Sequence, residues 1–221
     1  MLLQGTFTSV TGIFTVPTPS APNGYSSAWV GIDGFTCQTA ILQTGINFNL
    51  VNGVVSYSGR FIHVFNFLHK SLREFLLAWY EWYPDYAKSF DDPININSGD
   101  EIHLTVTATS STTGVAIIEN LTQEQSVKQE ISSTYPLCQA NAEWIVEDFT
   151  SNDQLVPFND FTTVTFEEAY AEATDGGYWG TGVYTPLDAT TIFLVQDNKV
   201  ITDVDEEVLE VTIRYNATGS Q

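Results

Sequence analysis

The chain is built of short runs that alternate apolar and polar residues, and turn clusters interrupt them before a long helix could form. SSAWVGID, TAILQTGINF, LLAWYEWY, EIHLTVTAT, TGVAIIEN, AEWIVEDF, TTVTFEEAYAEA, ATTIFLVQ and EEVLEVTIRY follow one another in this way, with clusters such as SSTTG and DGG between them. A side-chain period of two is the period of a strand, whose successive residues point to opposite faces. Many such runs in series predict an all-β fold, an antiparallel β-sandwich of two sheets of the concanavalin or jelly-roll kind. GTFTSVTGIFTV alternates on both sides of Thr11-Gly12 and reads as a hairpin. No repeat and no linker divides the sequence, so residues 1–221 read as a single domain.

Composition narrows the function. Acidic residues number 27 against 7 Lys and Arg, a net charge of −20. Nucleic acids and anionic membranes call for a basic footprint, so neither is an expected partner. No apolar run approaches the length of a membrane helix. So acidic a surface either serves solubility or suits a protein working at low pH, where carboxylates protonate and self-repulsion fades. Cys37 and Cys138 permit one disulfide, and Asn120-Leu-Thr and Asn216-Ala-Thr are glycosylation sequons. Together they favour an oxidising, secreted setting. The opening MLLQGTFTSV lacks the basic and apolar regions of a signal peptide, so either the start of a secreted protein is missing or the secreted setting is wrong.

One stretch breaks the pattern. GRFIHVFNFLHKSLREFL, residues 59–76, holds three of the seven basic residues and two of the three histidines, and its later half suits a helix. It falls between two strands, where an insertion is best tolerated. It reads as an irregular or helical insert outside the sandwich, either a surface element or a translated intron, and the second reading is preferred.

The usual catalytic signatures are absent. There is no H-E-x-x-H, no G-x-S-x-G, and no Asp-Thr-Gly or Asp-Ser-Gly pair. His103 is the one histidine outside 59–76, and neither cysteine has an obvious activating histidine. No metal or cofactor is expected, and chemistry must come from carboxylates, amides and aromatics. NAEWIVEDF is the telling stretch. Glu147 shares a strand face with Ile145 and Phe149, where a carboxylate is costly unless partnered or used. The same parity sets Gln43 opposite Ala40, Leu42, Ile46 and Phe48, sets Trp29 and Asp33 opposite Ala28, Val30 and Ile32, and groups Glu81 with Trp79 and Tyr83. A polar groove with aromatic walls follows if these faces coincide, although every half-buried strand has a polar side.

WVGIDG (29–34), TAILQTG (39–45), WYEWYPDYA (79–87) and NAEWIVEDF (141–149) closely resemble the eqolisins, the glutamic peptidases. GTFTSVTGIFTVP and 161–215 are similar too, so the resemblance spans nearly everything outside 59–76. It implies a two-sheet sandwich and a secreted, acid-acting endopeptidase that acts on proteins or peptides, here expected to be a monomer. It also implies a catalytic Gln and Glu, carried onto Gln43 and Glu147. Glu147 would activate water as general base and Gln43 would donate to the oxyanion. Trp29, Asp33 and Glu81 lie in the matching blocks and are expected to line the cleft, the two acids orienting the pair or its water. A Cys37–Cys138 bridge would tie the two catalytic strands. The family's signal, propeptide and first Asn-Trp-containing strand are missing before GTFTSV. The ordinary alternatives are a Glu147 merely paired with Tyr or Trp and a Gln43 closing a strand hydrogen bond. Rival functions are a carbohydrate-binding sandwich, a glycoside hydrolase using Glu81 and Glu147, and an inactive relative.

Overall fold

A computed structural model describes residues 1–4, 6–56, 78–151, 154–174, 176–180 and 190–216. Among these residues there are strands and no helix, and the 59–76 insert lies outside them. The strands are numbered β1 to β19 in chain order. One sheet holds β1 (Leu2–Gln4), β11 (Asn141–Glu147), β3 (Gly24–Ile32), β4 (Ile41–Val51), β6 (Ala78–Tyr83) and β7 (Lys88–Ser89) in that spatial order, and β5 (Val54–Ser56) also pairs with β4. The other runs β10 (Gln125–Ser132), β9 (Thr113–Asn120), β8 (Glu101–Ser110), β2 (Phe7–Thr15), β14 (Thr163–Ala173), β19 (Glu210–Tyr215) and β18 (Thr202–Glu207), and β15 (Tyr178–Gly180) pairs with β14. Two small hairpins complete the set, β12 (Thr150–Ser151) with β13 (Gln154–Leu155) and β16 (Val195–Gln196) with β17 (Lys199–Val200). Every pairing between these strands is antiparallel, and the two large sheets form the expected sandwich.

The core lies between the sheets and follows the predicted parity. Ala28, Val30 and Ile32, Leu42, Ile46 and Phe48, and Ala142, Trp144 and Val146 point inward from the first sheet. Val10, Phe14, Ile102, Leu104, Val106, Phe166 and Ile213 meet them from the second. Each such large side chain contributes about 1.5–3 kcal/mol by leaving water. Phe14 packs edge-on to Phe48 and Phe166, and Trp144 Nε1 donates across the core to the Thr11 carbonyl at 2.7 Å. The indole donor is thereby satisfied inside the apolar layer. Once this inner face is filled, the polar residues between these positions must occupy the outer face of the first sheet.

Three local expectations are corrected. Within GTFTSVTGIFTV, Phe7–Thr15 form one continuous strand, β2, and no hairpin. Gly12 sits there for space, because a Cβ would come within 3.2 Å of Phe166 and Trp144. EEVLEVTIRY holds a hairpin instead of one strand: β18 and β19 turn at Val208-Leu209, with Leu209 at a φ of 58°. Such two-residue turns are usually marked by Asn-Gly, and this one carries no such mark. Among the described residues of ATTIFLVQ, only Val195–Gln196 form a strand. The loop TDGGYWGTGVYTP lies partly outside the described residues and supplies β15.

Candidate active site

The hydrogen-bond registers of four strands lay out the outer face of the first sheet as a grid. Glu143, Gly31, Gln43 and Glu81 form one row across β11, β3, β4 and β6. Ile145, Trp29, Gly45 and Trp79 form the next row, and Glu147, Ser27 and Asn47 the third. Gly45 has no room for a side chain, because a Cβ would lie 2.4 Å from the Ala28 carbonyl oxygen and 2.5 Å from Trp29 Cβ. Trp29 uses that clearance, and its indole also leans over Gly31, whose Cβ would meet Trp29 Cζ3 at 2.9 Å and Gln43 Cβ at 3.4 Å. From there Trp29 Nε1 donates to Glu147 Oε2 at 2.9 Å. Trp29 thus spans the ground between Gln43 and Glu147. Gln43 Nε2 donates to Glu81 Oε2, and Trp79 Nε1 donates to Asn47 Oδ1 at 3.0 Å.

The face is short of water and crowded with acids. Gln43 is buried, and its Oε1 has no hydrogen-bond partner among the described residues. Burial pushes the Glu147 carboxyl up, against the Trp29 N–H, which favours the ionised form; nearby Asp148 pushes it further up. Burial lifts Glu81 to about 7, the Gln43 bond opposes it, and the Glu147 charge adds to it. Burial likewise lifts Glu143 to about 8. Carboxyls held this far above their ordinary range stay protonated where free ones ionise, which separates acid from base roles within a single cleft.

The chain as a whole has known counterparts. Residues 1–215 match the Peptidase A4 family. The chain is 44% identical over 238 residues to aspergillopepsin-2 of Aspergillus niger, covering 97% of this chain and 75% of that protein. It is 38% identical over 213 residues to scytalidopepsin B of Scytalidium lignicola, covering 91% of this chain and 71% of that one. Among solved structures, scytalido-glutamic peptidase with a peptide-based transition state analog superposes with a TM-score of 0.75 at 35% identity, over 97% of this chain and 95% of that one. A member of the eqolisin family in complex with the tripeptide Ala-Ile-His superposes with a TM-score of 0.71 at 32% identity over the same shares. The chain belongs to the Peptidase A4 family, the eqolisins. It is a glutamic-type peptidase, and this membership supports an acid endopeptidase acting on peptide substrates.

Within this eqolisin cleft the remaining residues singled out in the sequence divide. Glu81 touches Gln43 and so has a direct route to the site. Asp33 does not touch the pair. It is fully buried at the end of β3, and its oxygens accept the backbone N–H groups of Cys138 and Gln139 at 2.8 Å, Ala140 at 2.7 Å and Asn141 at 3.3 Å. It therefore clasps the segment that leads into β11. Cys37 and Cys138 are joined, the disulfide closing the same end of β11 and β3. Spanning 101 residues, the bridge stabilises by about 4.7 kcal/mol in the chain-entropy account. Among the described residues one group of His, Cys, Asp and Glu atoms lies close enough to share a metal ion, Asp33 with Cys37 and Cys138. Its two sulfurs are spent on each other. Of the sequons, Asn120 is fully buried and its amide donates to the Asn95 carbonyl and to Asp100, each at 2.8 Å. Asn216 is partly buried and donates to Asp203 Oδ2 at 3.0 Å.

Two groups escaped the sequence reading. Glu143 stands on the same strand face as Glu147, four residues earlier, and the parity argument applied to Glu147 would have found it. Gln196 Nε2 donates to Asp148 Oδ2 at 2.5 Å, so the β16–β17 hairpin abuts the residue next to Glu147. No spacing in the sequence signals that contact. Among the described residues no helix is long and apolar enough to cross a membrane.

Proposed function

We propose that the outer face of β3, β4, β6 and β11 cleaves peptide bonds at acid pH with Glu147 as general base and Gln43 as oxyanion donor. The observation carrying this reading is the Trp29 indole, which reaches from beside Gln43 to hold one oxygen of Glu147. A carboxylate fixed through one oxygen keeps the other for a water. Glu147 takes a proton from that water as its oxygen attacks the scissile carbonyl carbon, and the carbonyl π pair moves onto oxygen. The Gln43 amide N–H stabilises that oxyanion, and being neutral it remains a donor at pH values where histidine would be locked protonated. Glu147, now protonated, passes the proton to the leaving nitrogen as the C–N bond breaks and the oxyanion pair returns to form the carboxyl product. The balance needs no metal and no redox partner.

The two sheets work as one catalytic domain, the enzyme acts as a monomer, and it operates outside the cell, a setting that suits the disulfide. The test is proteolysis of an acid-denatured protein by the purified chain. Gln43→Ala should lower kcat by roughly 10²–10³ and Glu147→Gln by roughly 10²–10⁴, with native near-ultraviolet circular dichroism retained. Pepstatin, directed at paired aspartates, should not inhibit. Near wild-type turnover by either variant would sink the dyad.

A further inference from the structure

We propose that Glu81 works as a protonated acid that donates its O–H to Gln43 Oε1, turning the catalytic amide so that its NH₂ is free for the oxyanion. This rests on the dyad reading and assigns Glu81 a positioning role within it.

The starting observation is an imbalance at Gln43. In its observed contacts the amide spends an N–H on Glu81 and leaves Oε1 buried without a donor among the described residues. A buried acceptor without a partner is destabilising. The orientation is also the wrong one for the proposed chemistry, since the group left free is an acceptor and the oxyanion needs a donor. Half a turn about the last side-chain bond exchanges two atoms of similar size and removes both faults. Oε1 then faces Glu81, and the NH₂ takes the position that lacked a partner. The exchange is stable only if Glu81 supplies a hydrogen, because a carboxylate facing an amide oxygen sets acceptor against acceptor.

The surroundings of Glu81 favour that hydrogen. The charges acting on it are Glu147 from β11 and Asp85 from the following turn, both negative. A backbone N–H of Ala87 and the Gln43 amide are the groups that favour its ionised form. Lys88 on the adjacent β7 pairs with Tyr80 and so falls on the opposite strand face from Glu81. Burial, the largest influence, lifts the carboxyl to about 7, and Glu143, in the same row of the sheet, is lifted to about 8. Glu81 is therefore protonated throughout the acid range and loses its proton near neutrality. Activity should then need Glu147 ionised and Glu81 protonated, giving a bell-shaped profile whose alkaline limb belongs to Glu81.

Two variants separate this role from mere packing. Glu81→Gln carries a donor at every pH, and Glu81→Met carries none. In kcat measured across pH, Glu81→Gln should exceed Glu81→Met by about tenfold or more, with KM for a peptide substrate shifting much less. The alkaline limb near 7 should vanish in Glu81→Gln while the acid limb stays. A limb unmoved in Glu81→Gln, or equal kcat for the two variants, overturns the proposal. If neither variant folds, the wild-type profile decides, and absence of an alkaline limb near 7 overturns it equally. Failure of the dyad itself is read separately from Gln43→Ala and Glu147→Gln: if those are inactive and the Glu81→Gln limb is unmoved, the dyad stands and the positioning role of Glu81 is lost.

Discussion

Raising the pH from 4 to 8 should unfold this protein more readily, and the buried acids set the size of the effect. Glu81 moves from an ordinary value of 4.5 to about 7, and Glu143 from 4.5 to about 8. Both folded values lie above the unfolded ones, so between 4.5 and the folded value the native chain binds more protons than the unfolded chain. Stability then falls as pH rises through that window. At 1.36 kcal/mol for each tenfold change, the full loss is about 3 kcal/mol for Glu81 and about 5 kcal/mol for Glu143. Mutual influence among the acids and partial access of water to Glu81 make about 4–5 kcal/mol a fair expectation for the two together.

Against total stabilities of about 5–15 kcal/mol, such a loss is large. Urea melts at pH 4, 6 and 8, with constant ionic strength, read it directly. The midpoint should drop from about pH 4.5 upward, already clearly between 4 and 6, and Glu143→Gln should flatten the drop by about half. The opposite slope belongs to the Met1 amine, which burial lowers from 8.0 to about 6 and which therefore offsets part of the loss between 6 and 8, and to Asp100. Burial works against its ionised form, but the Asn120, Asn97 and Gln123 donors overcome this and hold it below its ordinary value. Its stabilisation is lost only as pH falls through that lowered value. A chain as stable at pH 8 as at pH 4, or a Glu143→Gln variant that loses stability as steeply as wild-type, would refute the reasoning.

Two further outcomes separate scaffold from chemistry. Asp33→Asn would set an NH₂ against the backbone N–H groups that Asp33 now accepts, so it should cost about 2–4 kcal/mol in urea melts while kcat of the folded enzyme falls far less than in Gln43→Ala. Gly31→Ala should push the Trp29 indole away from Glu147 and remove the N–H that favours its ionised form, so the acid limb of the kcat/KM profile should move to higher pH; an unmoved limb would show that Trp29 does not govern Glu147.

The sandwich was legible because the central strands of the first sheet largely obey the period of two, with Ser26 and Thr44 the polar residues on their inward parity. β3, β4 and β11 alternate core side chains with Trp29, Gln43 and Glu147, and the pairing of the three strands brings those alternate positions onto one face. Failures came where the period does not carry the information. β10 has Val127 as its one buried side chain, so an edge strand of that composition is indistinguishable from a loop. β14 carries a bulge between Glu167 and Tyr170, which moves Ala169 and Ala171 inward and breaks any parity count across it. Asp33 was legible as an acid near the cleft, but its φ of 71° turns it out of the strand and toward four amides. Parity holds only while the backbone remains extended.

The composition and the site point to the same working pH by separate routes. With a net charge of −20, the folded chain repels itself at neutrality, and protonation of surface carboxylates relieves this as pH falls. On the cleft face, burial raises Glu81 and Glu143 for an unrelated reason, the cost of placing charge where water is scarce. Glu147 must nevertheless ionise to act as base, and among the described residues the Trp29 N–H is the group on that face that favours its ionised form. On the proposed mechanism the lower limit of activity falls to Trp29 and Glu147, and the upper limit to Glu81. A histidine in place of Gln43 would be cationic across that interval, whereas an amide has no charge to lose or gain there. On that reading a glutamine suits a site among acids because its amide, like the Trp29 indole, donates at every pH, while its orientation is set by Glu81, whose protonation does vary.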